Sequence, residues 1–209
     1  MPSFRHRPNS AGFSYGEIMT GIVFGIGFND VSPISYGGIH IESYAAWKNM
    51  LKRCYDLKWQ SNNKTYVGCS VSSDWLTFSN FKQWFDLRHL SGWQIDKDLL
   101  LPGNKIYSSE TCLFVPKSLN SFLTAHDSYR GQYPLGVHYH KHKGKFVSQI
   151  SVNGTREQIG VYDSPKEAHE SWFKRKIELA YEYKYLCDSI DQRLFEGVLR
   201  KIHSMREDL

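Results

Sequence analysis

Aromatic and apolar residues recur at helical spacing in the first half of the chain. Tyr44, Trp47 and Leu51, continued by Cys54 and Tyr55, fall on one side of a three-turn amphipathic helix, and the opposite side carries three cations, Lys48, Lys52 and Arg53. A second aromatic stripe, Phe78, Phe81 and Phe85, predicts another helix that begins near Thr77 or Ser79. Because large aromatic residues at this spacing are usually buried, we expect both stripes to form a core.

After Gly92 the spacing of the apolar residues shortens from the period of a helix to that of a strand. Residues 93–96 and 112–115 each predict a short strand, and Pro102 and Gly103 predict a turn between them. Pro116 stops the second strand and stands before a short helix at 117–123. The predicted order over 93–123 is therefore strand, loop, strand, helix.

Three further strands are predicted at 136–140, 145–151 and 158–162. Gly144 marks one turn, and Asn153-Gly154, a strong hairpin signal, marks the other. Ser164 and Glu167 form a capping box around Pro165, which predicts a helix running to about residue 186. A last helix follows from four apolar residues at helical spacing: Ile190, Leu194, Val198 and Ile202.

These elements predict an α+β fold with four parts. Residues 1–20 form a flexible basic lead-in, and residues 21–125 form a domain whose helical, aromatic region leads into the strand–strand–helix core at 93–123. Residues 131–186 form a three-stranded antiparallel sheet with one helix, and residues 187–209 a C-terminal helix.

Composition narrows the class of protein. A hydrophobic content of 41% and an aromatic content of 15% supply cores, so global disorder is disfavoured. No apolar run approaches the ~18 residues that span a bilayer, and the segment 18–28 lacks a cleavage site, so we expect no membrane association and a cytoplasmic location, in the host cell if a phage encodes the chain.

The glycine-rich stretch from Gly25 to Asp30 predicts a tight turn beside a short strand rather than a nucleotide site. The four widely spaced cysteines predict buried thiols.

Positive charge is concentrated between residues 130 and 160. The net charge of +5 is mild, but this stretch carries five Arg or Lys residues against one acid, Glu157. Three alternating histidines, His138, His140 and His142, lie among them and raise metal chelation as an alternative. The concentration favours a surface that faces the phosphates of a polyanionic partner.

The segment 95–120 carries the candidate chemistry. A strand–strand–helix metal site needs a carboxylate at the end of its first strand and a second ligand on the helix, which leaves positions on Mg²⁺ for a phosphate oxygen and water. The runs Ile95-Asp96-Lys97-Asp98, Gly103-Asn104-Lys105, 110–116 and Asn120 resemble the core of phage HNH homing endonucleases. The resemblance implies a ββα-metal fold that binds Mg²⁺ or Mn²⁺ through Asp96 and Asn120.

Two positions depart from the HNH pattern. Lys97 stands where that family has its general-base histidine, and Thr111 where it has the asparagine that orients the histidine. A lysine is a poor base by default, so a metal-bound water or Asp98 could take its role, or Lys97 could stabilise the phosphate in the transition state. The other alternative is an inactive site whose fold is retained for binding.

The segment from Gly136 to Tyr183 resembles the AP2 DNA-binding domain. Gly136-Val137, Gly144-Lys145-Phe146, residues 159–163 and Glu167-Ala168 carry this resemblance. It implies that the sheet enters the major groove while the helix backs it. The predicted DNA-binding residues are Arg130, His138, His140, Lys141, Lys143, Lys145, Gln149, Arg156 and Gln158; Ser151 is expected on the same outer face.

Two functions from different classes follow. The first is a metal-dependent DNA endonuclease or nickase with Asp96, Lys97, Asp98 and Asn120 as catalytic residues and no small-molecule cofactor. The second is a DNA-binding regulatory or architectural protein without enzymatic activity. A weaker third hypothesis is an inhibitor of a host protein that acts through the aromatic N-terminal half.

Overall fold

A computed structural model of the chain describes residues 21–124, 132–152 and 154–207. The predicted lead-in at 1–20, the predicted DNA contact Arg130 and the turn residue Asn153 lie outside these residues. The described part combines helices with small sheets, which confirms the α+β class. Every helix in it is too short or too polar to cross a lipid bilayer.

Two short hairpins open the described chain. Strands β1 (Gly21–Val23) and β2 (Gly27–Asn29) form the first, and β3 (Ser35–Tyr36) and β4 (Ile39–His40) the second. Gly25 turns the first hairpin with a φ of 75°. A Cβ on Gly27 would lie 2.3 Å from Leu51 Cδ1, so only glycine lets the hairpin approach the first helix this closely. The turn predicted at Gly25 is confirmed.

An aromatic cluster forms behind these hairpins. Helix α1 (Glu42–Tyr55) continues into α2 (Leu57–Ser61), and after strand β5 (Ser70–Val71) comes α3 (Phe78–Arg88). The rings of Trp47 and Phe78 lie 5.2 Å apart, and Trp47 Nε1 donates a 2.7 Å hydrogen bond to the carbonyl oxygen of Trp75. Both predicted aromatic stripes are confirmed as core, although Tyr55 at the end of the first is only partly buried.

The strand–strand–helix order predicted for 93–123 is present. Strand β6 (Trp93–Asp96) pairs antiparallel with β8 (Leu113–Pro116), which leads directly into α4 (Lys117–Phe122); the short strand β7 (Ile106–Tyr107) lies between them and pairs with β5. We call β6, β8 and α4 the ββα unit. Phe114 of β8 points into the aromatic cluster, whereas Val115 points to the other side.

The C-terminal sheet also follows the predicted order. Strands β9 (Val137–His140), β10 (Lys145–Val152) and β11 (Thr155–Tyr162) form an antiparallel sheet with β10 in the centre, and α5 (Pro165–Glu182) packs on it. The side chain of Ser164 accepts a 3.2 Å hydrogen bond from the Glu167 amide, as the capping box predicts.

The helical part beyond residue 182 differs from the prediction. The helix expected to reach residue 186 ends at Glu182, and two helices follow, α6 (Lys184–Ile190) and α7 (Leu194–His203). The Tyr183 amide bonds three residues back, to the carbonyl of Ala180, which tightens and closes α5. Asp191 is extended and its side chain accepts a 2.8 Å hydrogen bond from the Arg193 amide, so it separates α6 from α7.

A second hydrophobic cluster joins the ββα unit to the C-terminal helices. Val115 and Leu119 are fully buried together with Cys187, Val198 and Ile202. The two-stranded β6–β8 sheet is thus packed between this cluster and the aromatic cluster. All four cysteines are buried free thiols, as predicted.

Candidate DNA-cleavage site

A cleft of about 440 Å³ runs along one side of the ββα unit. The four residues predicted to be catalytic, Asp96, Lys97, Asp98 and Asn120, all line it. One face of α1, from Glu42 through Asn49 to Arg53, forms the opposite wall. The fold therefore brings the predicted residues together, from the end of β6 and the middle of α4.

Asp96 is held in one orientation by the turn that follows β6. Its Oδ1 accepts 2.8 Å hydrogen bonds from the amides of Asp98 and Leu99. Burial raises the pKa of the Asp96 carboxyl, and these two hydrogen bonds oppose part of that rise. Among the described residues, none donates a hydrogen bond to Oδ2. This oxygen is therefore available to a cation.

Asn120 lies against the first half of β6. Its Nδ2 donates a 2.6 Å hydrogen bond to Gln94 Oε1. Gln94 and Asp96 are two residues apart on one strand, so they share a face, with Cα atoms about 6.6 Å apart. Asp96, Gln94 and Asn120 thus line one cleft, and carboxylate and carboxamide oxygens of this kind are ligands that Mg²⁺ and Ca²⁺ take in proteins.

The donor set fits a cation that keeps several of its waters. Within the described ranges, no group of three or more His, Cys, Asp or Glu side chains is placed to hold a metal ion, and this covers His138, His140 and His142. A divalent cation in the cleft would rely on Asp96, the carboxamide oxygens and water. This is the open coordination that Mg²⁺ favours, because it dehydrates reluctantly.

Lys97 stabilises the loop that follows β6. It is 6% exposed, its Nζ pairs with the Asp98 carboxylate, and Nζ also donates a 2.9 Å hydrogen bond to the carbonyl of Asn104. The Asn104 side chain donates in return to the carbonyls of Lys97 and Ile106, at 2.8 and 2.7 Å. Both contacts of Lys97 Nζ are therefore made within this loop.

Thr111 stabilises the same loop and does not orient Lys97. Its Oγ1 donates a 2.9 Å hydrogen bond to the carbonyl of Ile106 and lies 3.1 Å from Ser108 Oγ. The two departures from the HNH pattern therefore serve loop structure, Lys97 through Asn104 and Thr111 through Ile106.

The predicted DNA-binding residues of the sheet share one face. On the α5 side, Tyr162 donates a 2.6 Å hydrogen bond to Ser171 and Glu157 pairs with Arg175. In β10 the residues that alternate with the buried Ile150 face away from α5, and the register shift between Ser148 and Gln149 places Gln158 and Arg156 of β11 opposite them. This outer face carries the pairs His140–Lys145, Gln149–Gln158 and Ser151–Arg156, with His138 opposite Val147.

Two details change the expected charge of this outer face. Lys145 forms an ion pair with Asp163, so part of its charge is already balanced. Arg156 is exposed, and among the described residues it has no ion-pair partner. Lys141 and Lys143 project from the exposed 3-10 turn between β9 and β10. Within the described part of this surface, Arg156, Lys141 and Lys143 are thus the Arg and Lys residues without an ion-pair partner.

Comparison of the chain with protein-family models, with curated proteins and with solved structures finds no match. The geometry of the cleft and of the sheet is therefore what bears on function.

The cleft also contains three residues that no sequence motif marks as functional. Gln94 binds Asn120, Arg53 lines the wall formed by α1, and His89 follows the end of α3. The His89 ring stacks on Phe85 at 4.3 Å, and its Nε2 lies 3.4 Å from Glu42 Oε1. His89 comes four residues after Phe85, so the helical stripe of α3 carried a signal for its position.

Proposed function

We propose that this chain is a DNA-binding endonuclease or nickase of the HNH type that requires Mg²⁺ or Mn²⁺. One observation carries the proposal: a strand-end carboxylate with an available oxygen, Asp96, and a helical carboxamide, Asn120, line the same cleft of a ββα unit. The outer face of the sheet supports double-stranded DNA as the substrate, because its cations and amides are arranged on a surface that fits a groove.

In this proposal the chain holds and orients the reacting groups. Asp96 Oδ2 and Asn120 Oδ1 would hold the cation, and the amides of Asp98 and Leu99 keep the Asp96 carboxylate aimed at it. When bound, the cation supplies charge stabilisation at the phosphate and at the leaving oxygen. The half-exposed Asp98 carboxylate is the group that can take a proton from the attacking water, because Lys97 is engaged in the loop.

Replacing Asn120 tests the metal site from the helix side. We expect Asn120→Ala to lower the rate of plasmid nicking in Mg²⁺ by roughly 100-fold, because the cation loses a ligand and Gln94 loses its partner. Asn80→Ala is the matched control, since Asn80 is exposed on α3 and bonds Asp74 outside the cleft. Native nicking rates in Asn120→Ala would exclude the assigned site, and absence of nicking by the native chain in Mg²⁺ and in Mn²⁺ would exclude the enzyme.

Replacing Arg156 tests whether the outer face of the sheet binds DNA. Arg156→Ala should weaken DNA binding uniformly across sequences and reduce the slope of log K against log salt by about 0.9, the value for one phosphate contact. Lys145→Ala should do less because Asp163 already neutralises Lys145. Lys174→Ala on the exposed side of α5 is the control for net charge. An unchanged slope in Arg156→Ala would remove this face from the DNA interface.

One observation favours the second function, a DNA-binding protein that does not cleave. The residue in the general-base position, Lys97, is buried and bonded to Asp98 and Asn104. In that case the cleft and the sheet would still bind DNA, and nicking would be absent under every metal. The plasmid assay thus separates the two functions, while the salt slope of Arg156→Ala keeps its expected value in both.

A further inference from the structure

We propose that Arg53 is a phosphate-binding residue of the cleft, which holds a phosphodiester of the DNA backbone beside the turn formed by Asp96, Lys97 and Asp98. This inference rests on the proposed function in one respect, that the cleft receives DNA. It adds a contact on α1, far in sequence from both the ββα unit and the C-terminal sheet.

The position of Arg53 is set by two tyrosines. Its guanidinium lies 5.6 Å from the centre of the Tyr66 ring, and the phenol of Tyr107 is near enough to raise the pKa of Arg53. The Tyr107 ring in turn lies 5.8 Å from Lys97 Nζ. Arg53, Asn49 one turn earlier and Asp96 all line the cleft. Tyr107 is therefore a common neighbour of Arg53 and of Lys97, which follows Asp96 in the turn.

The charge of Arg53 has no anionic partner in the described part of the chain. Lys97, the other strong cation of the cleft, is paired with Asp98, whereas Arg53 forms no ion pair with a described carboxylate. Burial lowers the pKa of Arg53, but the phenols of Tyr66 and Tyr107 raise it, and the balance lies above the ordinary value. The Arg53 guanidinium is half-buried, and no described carboxylate balances its charge. It is therefore suited to bind an anion that enters the cleft.

A phosphodiester is the anion that fits. A guanidinium presents its donors in a planar fork that matches two phosphate oxygens, and it is hydrated more weakly than an ammonium. Asn49 adds an amide donor on the same wall. A DNA strand whose scissile bond lies at Asp96 would place a neighbouring phosphate within the same cleft, because successive phosphates on one strand are only a few Å apart.

Binding of a short duplex in EDTA, where no cleavage occurs, tests Arg53 directly. We expect Arg53→Gln to weaken binding about 10- to 100-fold, the loss of a hydrogen-bonded charge contact, and to reduce the salt slope by about 0.9. Arg88→Gln is the matched control: Arg88 also lies over an aromatic ring, 5.7 Å from Trp84, but it is exposed and does not line the cleft. Its variant should bind as the native chain does.

A measurement on the native chain covers the case in which Arg53→Gln does not fold. The ¹⁵N side-chain Nε–H signal of Arg53, assigned by its loss in Arg53→Lys, should shift when the duplex is added, and that of Arg88 should not. Native affinity of a folded Arg53→Gln, or an unshifted Arg53 signal while the duplex binds, would overturn the phosphate contact and leave the proposed function standing. Arg53-dependent binding without plasmid nicking would support the contact and overturn the nuclease. Failure of the native chain to bind DNA would overturn both.

Discussion

Asp96→Asn should abolish the proposed DNA cleavage while leaving the fold as stable as the native one or more stable. Asparagine keeps an Oδ1 that can accept the hydrogen bonds from the amides of Asp98 and Leu99. It replaces Oδ2 with an NH₂ group, which cannot bind a cation. We expect nicking in Mg²⁺ or Mn²⁺ to fall on the order of 1000-fold, since metal stabilisation of the transition state is worth several kcal/mol.

The stability part of this prediction follows from the raised pKa of Asp96. Burial makes the folded chain prefer the protonated carboxyl, so the contribution of Asp96 to stability is complete below its unfolded pKa, about 4, and is lost as the pH rises through its higher folded pKa. Asparagine is neutral throughout. Between the unfolded and the folded pKa of Asp96, the free energy of unfolding in urea should therefore fall with rising pH in the native chain relative to that of Asp96→Asn.

The effect of Mn²⁺ on thermal stability tests the same substitution independently. Mn²⁺ should raise the thermal midpoint of the native chain, because a ligand that binds only the folded state stabilises it, and should leave that of Asp96→Asn unchanged. Asp86→Asn is the control, since Asp86 is an exposed carboxylate paired with Lys82 on α3. Native nicking by Asp96→Asn, or a large loss of its stability at neutral pH, would show that Asp96 is a structural residue.

Local signals in the sequence were sufficient for most of the elements. The ββα unit and the three-stranded sheet were predicted because strand period, turn residues and a capping box all act within a few residues. The end of α5 was placed four residues too far along the chain, because the bond from Tyr183 to Ala180 leaves no mark on the apolar period. Local patterns therefore locate elements better than they locate their ends.

The candidate site was predicted only in part because half of it is assembled from distant segments. Asp96 and Asn120 follow from a motif within one unit. Arg53 reaches the cleft only through the packing of α1 in the aromatic cluster with β6 and β8, which no local pattern encodes, whereas His89 at least continues the stripe of α3. The burial of Lys97 likewise depends on the loop around Asn104, which folds back and hydrogen-bonds to it. Side chains that converge across the fold are the part that a single sequence does not show.

The contact between Gly197 and Leu99 links the C-terminal helix to the candidate site. A Cβ on Gly197 would lie 1.9 Å from the carbonyl oxygen of Leu99, and the Arg200 guanidinium lies 3.3 Å from that oxygen. The amide of Leu99 is one of the two donors that orient Asp96. Helix α7 therefore rests directly on the turn that carries the proposed metal ligand, although the two are about a hundred residues apart in sequence.

Gly197→Ala should consequently destabilise the chain and impair the site together. In an exposed helix this substitution stabilises by about 1 kcal/mol, but here the clash with backbone forces α7 or the Leu99 turn to move, at a cost of about 1–3 kcal/mol net. Urea unfolding measures this loss, and nicking should fall further than DNA binding, because the sheet does not depend on the turn. Lys201→Ala on the exposed side of α7 is the control. A Gly197→Ala chain as stable as the native one would mean that the turn yields easily, and then Asp96 cannot owe its orientation to the packing of α7.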